Sequence, residues 1–151
     1  MEKLRFSVSI QAPVDVVWET MLGDETYRQW AGVFQEGSHF LGTWDKGATI
    51  RFLGPGGDGS FEGLVGTVAE NRRHEYVSIQ YHGQVVNGVD DVTSDVARQI
   101  SGTEENYTFS ESGGATTVDV EMDSADEYAA MFTEGWPRAL EKVKELSEAS
   151  R

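Results

Sequence analysis

The side chains able to do chemistry in this 151-residue sequence are few, and several are phenols: there are five tyrosines, three histidines and no cysteine. The lack of cysteine excludes thiolate nucleophiles, cysteine metal sites and disulfides, and it fits a reducing compartment. His39, His74 and His82 do not have the spacing of metal ligands, and no H-E-x-x-H occurs. No serine sits in G-x-S-x-G, and neither Ser60 nor Ser78 has an evident base. The run Gly54-Pro55-Gly56-Gly57-Asp58-Gly59 lacks the G-K-[ST] ending of a phosphate loop and reads as a flexible turn. Asp90, Asp91 and Asp95 lack the twelve-residue spacing of a calcium loop and read as a solvated loop. No metal and no cofactor is called for.

What remains is an apolar site with a few polar groups. Tyr81, Tyr107 and Tyr128 are candidate lining residues, because a phenol buried in a dry core needs a partner that a pocket can supply. His82 ends a predicted strand and can reach a cavity mouth. Arg51 lies between Ile50 and Phe52, so strict alternation turns it outward. If it faces inward it is a buried cation that anchors a carboxylate, and one of Glu104, Glu105 and Asn106 can pair with it.

The elements that position these groups follow from hydrophobic periodicity. Residues 125–150 carry Tyr128, Phe132, Trp136, Leu140, Val143 and Leu146 at spacings of three and four, with Met131 beside them. That is one face of a long helix, started by Ser124 or Asp126 and interrupted by Pro137. Upstream, Leu4, Phe6, Val8 and Ile10 alternate as a strand. Two short helices follow, one with Val14, Val17 and Trp18, stopped by Gly23, and one running from Asp24 to Trp30. Strands are then predicted over 36–44, 48–53, 60–70, 75–82, 104–110 and 116–123. Residues 83–101 are too long for an ordinary hairpin loop and read as an acidic insertion with about two helical turns at its end. The order is strand, two short helices, six strands and a long helix, which gives an α+β fold. Seven antiparallel strands form one curved sheet, whose concave side the long helix covers, in a single domain spanning 1–151.

Charge narrows the partners. The chain has 26 acidic against 12 basic residues, a net charge of −14, so nucleic acid and anionic membranes are not expected as partners. No apolar run approaches the length of a membrane span, and the alternating start MEKLRFSVSI is not a signal-peptide core, so a cytoplasmic location is expected. Monomer and homodimer both remain open.

The stretches VSIQAPVDVVWETM, with its AP-x-x-x-VW pattern, YRQW, ENYTF, GGATTVDVEMD and TEGWPRALEKVKEL occur in an order that resembles the START-like superfamily. The finer resemblance is to the branch named for the activator of heat-shock protein 90 ATPase. It implies a helix-grip fold, with a cavity between sheet and C-terminal helix that takes a hydrophobic or amphipathic small molecule. The expected ligand-binding set is Trp30, Phe34, Phe40, Phe52, Tyr81, Tyr107, Tyr128, Met131, Phe132 and Trp136, with His82 and Arg51 as polar members. Two further functions follow from the resemblance: an enzyme of the polyketide cyclase or aromatase kind using Tyr81, His82, Arg51 and Tyr107, and a module that binds a chaperone or other protein partner.

Overall fold

The computed structural model describes residues 1–150. Strand β1 (Glu2–Ile10) carries the predicted alternation, and Pro13 then leads into helix α1 (Val14–Leu22). Gly23 separates α1 from α2 (Asp24–Ala31). A Cβ at Gly23 would lie 2.7 Å from the Glu19 carbonyl oxygen, which keeps the joint free of a larger residue. Seven strands follow: β2 (His39–Gly42), β3 (Thr49–Pro55), β4 (Phe61–Arg72), β5 (Tyr76–Val86), β6 (Val89–Asp91), β7 (Glu104–Ser112) and β8 (Ala115–Ser124). Helix α3 (Asp95–Ile100) sits between β6 and β7. After β8 a single 3-10 turn (Asp126–Tyr128) leads into α4 (Ala129–Ser150), which contains Pro137. β2 is shorter than the predicted 36–44 because Gly37 and Gly42 take φ of 92° and 117°, outside the range of strand backbone.

The strands form one antiparallel sheet in the order β1-β8-β7-β5-β4-β3-β2, the predicted seven-stranded path. An eighth strand, β6, pairs with β5 off this path. The start of the predicted insertion is thus a hairpin rather than a loop. Asn87 and Gly88 both take left-handed φ, 54° and 75°, as a two-residue type I′ turn requires. The hairpin hands over to α3 through Asp91. Its carboxylate accepts hydrogen bonds from the Ser94 hydroxyl, the Gln84 amide and the backbone N–H groups of Thr93 and Ser94, which hold it far below the usual carboxylate range. Two register shifts between β4 and β5, at Val65/Gly66 and Val68/Glu70, bend that part of the sheet.

The inner face of the sheet is roofed by two bodies. Helix α4 lies along β1 and against α1 and α2. Helix α2 covers the other end, toward β2. The long helix therefore does not cover the concavity alone, contrary to the sequence-based expectation. Between these layers Ile10, Val17, Met21, Trp30, Val77, Ile79, Val118, Val120, Leu140 and Val143 are essentially withdrawn from water. A second small core lies on the outer face, where Leu53, Val65 and Val85 stack across β3, β4 and β5.

Candidate functional site

Alternation from the register fixes which side chains point inward. Phe52 lies opposite Phe40 on β2 and Leu64 on β4, Gly66 opposite Tyr81, and Ile79 opposite Glu105. Tyr107 follows Glu105 two residues later on the same face. From α2, Tyr27 comes down onto this surface, with ring centroids 5.1 Å from Phe40 and 5.9 Å from Phe52. Phe52 is also 5.6 Å from Trp44 and 6.1 Å from Tyr81. On the other side of Tyr27 lie Trp30, at 4.8 Å, and then Trp136, at 5.6 Å from Trp30. Trp136 in turn meets Phe34 at 5.3 Å, Tyr107 at 6.0 Å and Phe6 at 6.2 Å. Phe34 reaches Phe132 at 6.3 Å. The aromatic residues predicted at 30, 34, 40, 52, 81, 107, 132 and 136 thus belong to one continuous ring network.

The network divides by exposure. Tyr27, Trp30, Tyr81, Tyr107 and Trp136 are buried, and the indole nitrogens are satisfied: Trp30 Nε1 donates to the Met21 carbonyl at 3.2 Å, and Trp136 Nε1 meets Met122 Sδ at 3.1 Å. Phe34, Phe40, Trp44, Phe52, Leu64 and Phe132 are only half-buried although they pack against the core. Trp44 Nε1 is buried there without a hydrogen-bond partner among the described residues.

At the centre is a carboxylate. Glu105 accepts a hydrogen bond from the Tyr81 hydroxyl at 3.4 Å and another from the Tyr107 hydroxyl. The field of Glu105 also reaches Tyr27. Burial raises the Glu105 carboxyl above the usual carboxylate range, and the two phenol hydrogen bonds only partly oppose it. The same burial, reinforced by the neighbouring carboxylate, raises Tyr81 and Tyr107 well above an ordinary phenol. Sequence reasoning named Glu105 only as a partner for an inward Arg51. The signal that places it was the period-two step back from Tyr107, in a run, Glu104-Glu105-Asn106, whose polarity hides its inner face. Tyr27 and Trp44 belong to the same wall and were not in the predicted set.

Four predicted members lie elsewhere. Arg51 faces outward, as strict alternation requires, and pairs in bidentate fashion with Asp90 of the β6 hairpin, Nε–Oδ1 2.9 Å and Nη2–Oδ2 2.6 Å. His82 is not at a strand end, since β5 continues to Val86. The register shift leaves it unpaired and exposed, with Nε2 2.7 Å from Thr67 Oγ1 on the outer face. Tyr128 and Met131 are each 53% exposed: Tyr128 ends the 3-10 turn ahead of α4, and Met131, five residues before Trp136 within α4, lies on the side of the helix away from the buried face.

The roof is pinned where Gly135 faces Phe34. A Cβ at Gly135 would come within 2.5 Å of the Phe34 ring, so the absent side chain is what lets the ring lie on α4. Arg138 Nη2 donates to the Val33 carbonyl at 3.1 Å and ties the same loop to the helix. Two surface depressions lie apart from the tyrosine–carboxylate cluster. One, about 360 Å³, is lined by Arg5, Tyr76, Asn106, Asp119 and Glu121 among others. The other, about 700 Å³, lies beside Glu19, Asp24, Arg73 and His74.

A sheet path of this order, gripped by a C-terminal helix, is matched by a family model over residues 11–148, that of the Activator of Hsp90 ATPase homolog 1-like protein. The chain belongs to this family. The fold is also shared by solved structures that are distant in sequence. A protein from Nitrosomonas europaea is 13% identical with TM-score 0.72, covering 98% of this chain and 95% of its own. The Aha1 dimer from Colwellia psychrerythraea is 18% identical with TM-score 0.70, covering 98% and 97%. DynU16, from the dynemicin biosynthetic locus, is 20% identical with TM-score 0.68, and this chain covers 49% of it. At these identities the likeness establishes the helix-grip fold and nothing finer. No curated protein is detectably similar in sequence. No helix among the described residues is long and apolar enough to cross a membrane.

Proposed function

We propose that this protein binds a hydrophobic or amphipathic small molecule against the inner face of β3, β4 and β5, beneath α2 and the first half of α4. The observation that carries this reading is the contrast within one ring network. Trp30, Tyr107 and Trp136 are buried, while Phe34, Phe40, Phe52 and Phe132 keep accessible surface although they point inward. Ligand sites are mostly apolar surfaces with a few converging polar groups, and here those groups are Tyr27, Tyr81, Trp44 Nε1 and Glu105. A thermal-shift and calorimetric screen against lipids, phenolics and polyketide-like aromatics tests it. A midpoint raised by at least one class, and lost in Phe52→Ala, supports the reading. No stabilisation by any class sinks it.

A second reading has its own support. Of the four side chains expected to guide proton transfer in a cyclase-like enzyme, Tyr81 and Tyr107 do converge, on Glu105. A carboxyl raised by burial beside two phenols is suited to exchanging a proton with a bound substrate. DynU16 belongs to a biosynthetic locus and shares the fold. Conversion of a linear poly-β-keto thioester to a cyclic product, lost in Glu105→Gln with binding retained, would favour catalysis over simple binding.

A further inference from the structure

We infer that the molecule bound at this site presents a cation, a protonated or quaternary amine, to Glu105, with its apolar body along the Phe40–Phe52 wall. The inference rests on the binding reading above and deepens it. Glu105 is a half-buried carboxylate on the inner face of the sheet with no lysine, arginine or histidine among the groups acting on it within the described residues; its partners are two phenols. Two neutral donors do not replace a countercharge, and a buried carboxylate without one is costly to ionise. The surroundings supply what an organic cation uses besides an anion. Tyr27, Phe52 and Tyr81 form consecutive ring contacts beside the carboxylate, and Trp44 lies against Phe52. Ring faces attract a desolvated ammonium.

Arg51 would neutralise Glu105 if it faced inward, but it is held on the opposite face of β3 by Asp90. Arg51 is thus engaged on the outer face and does not neutralise the inner carboxylate. The net charge of −14 acts in the same direction at long range, drawing cations toward the protein and repelling carboxylate or phosphate ligands. Carboxylate anchoring, the role an inward Arg51 would have had, is therefore replaced by its electrostatic opposite.

Three probes with one aromatic body separate this proposal from the reading it rests on: 2-(1-naphthyl)ethylamine, 2-(1-naphthyl)ethanol and 1-naphthylacetate, titrated calorimetrically into the full chain at neutral pH. The ammonium is expected to bind about tenfold or more tighter than the alcohol, and the carboxylate weakest. In Glu105→Gln the amine falls to the affinity of the alcohol, while the alcohol changes by less than about twofold. Equal binding of alcohol and amine, or tighter binding of the carboxylate, overturns the cation proposal and leaves a neutral apolar site standing. An amine preference that persists in Glu105→Gln also overturns it. Absence of binding by all three removes both readings. The wild-type comparison of the three probes decides the matter even if the variant fails to fold.

Discussion

The two halves of the inner face are built from the same residue types and do different work. Under α4, Tyr107, Val118, Val120 and Met122 of β7 and β8 are buried in one cluster with Trp136, Leu140 and Val143, while Leu4, Phe6 and Val8 of β1 stay half-buried at its edge; the indole nitrogens of Trp30 and Trp136 have partners, and Ser147 Oγ is buried without one among the described residues. Under α2, the rings of β2 and β3 keep surface, Trp44 Nε1 has no partner, and Glu105 has no countercharge. A fold optimised only for stability would not leave the second half in this condition. The first half is what holds the chain folded; the second is where the proposed ligand would be recognised.

The sharpest test of that division is Trp136→Ala, which opens a hole in the filled half. It should cost about 3–5 kcal/mol in urea denaturation. If the cost were under about 1 kcal/mol, the filled half would not be filled. Phe52→Ala removes a ring that is already half-exposed and should cost less stability than Trp136→Ala. Its main effect is loss of the ligand-induced rise in melting temperature. Phe132→Ala should behave in the same way, more weakly, because Phe132 touches the network only through Phe34. Equal losses at positions 52 and 136 would erase the distinction between the halves.

Glu105→Gln tests the second half by pH. Burial raises the pKa of Glu105, so the folded state disfavours the charged form. Its contribution to stability is full below the ordinary carboxylate value and is lost as pH rises through the raised value. The variant should lack that decline and melt above wild type at neutral pH in the absence of ligand. A variant less stable than wild type at neutral pH would mean that Glu105 is compensated after all. The smallest effect is expected at Arg51→Met. Arg51 and Asp90 are 36% and 38% exposed, so water screens the pair and its loss should change stability by no more than about 1 kcal/mol and ligand affinity not at all.

Much of this architecture was legible in the sequence because the strands alternate cleanly. Leu4 to Ile10 and Val118 to Met122 read correctly, while Arg51, placed in the ligand set with its face left open, follows strict alternation and faces outward. The β6 hairpin was missed although Asn87-Gly88 is a strong turn signal, because the acidic run after it looked solvated. In the fold those acids have specific partners, Asp90 on Arg51 and Asp91 on Ser94 and Gln84. His82 misled because a register shift is not encoded in alternation; it arises from the pairing of β4 with β5. Tyr128 shares the spacing of Phe132 and Trp136, and periodicity alone cannot tell that the chain turns before α4 begins; Met131 lies only beside that stripe, and its position within α4 turns it outward. The site was half-legible: its rings were named, while its carboxylate was hidden in a polar run.

Pro137 has a consequence for how the roof behaves in time. Lacking an N–H, it leaves the Thr133 carbonyl without its helical donor, so the hydrogen-bond ladder of α4 is interrupted between the segment that carries Phe132 and the segment anchored by Leu140 and Val143. Amide protons on the two sides of that gap should exchange with solvent as separate cooperative units, slowly after Arg138 and faster before Gly135. The segment that opens first is then the one bordering the Phe34–Phe132 contact, so a ligand could enter while the buried half of the helix stays closed.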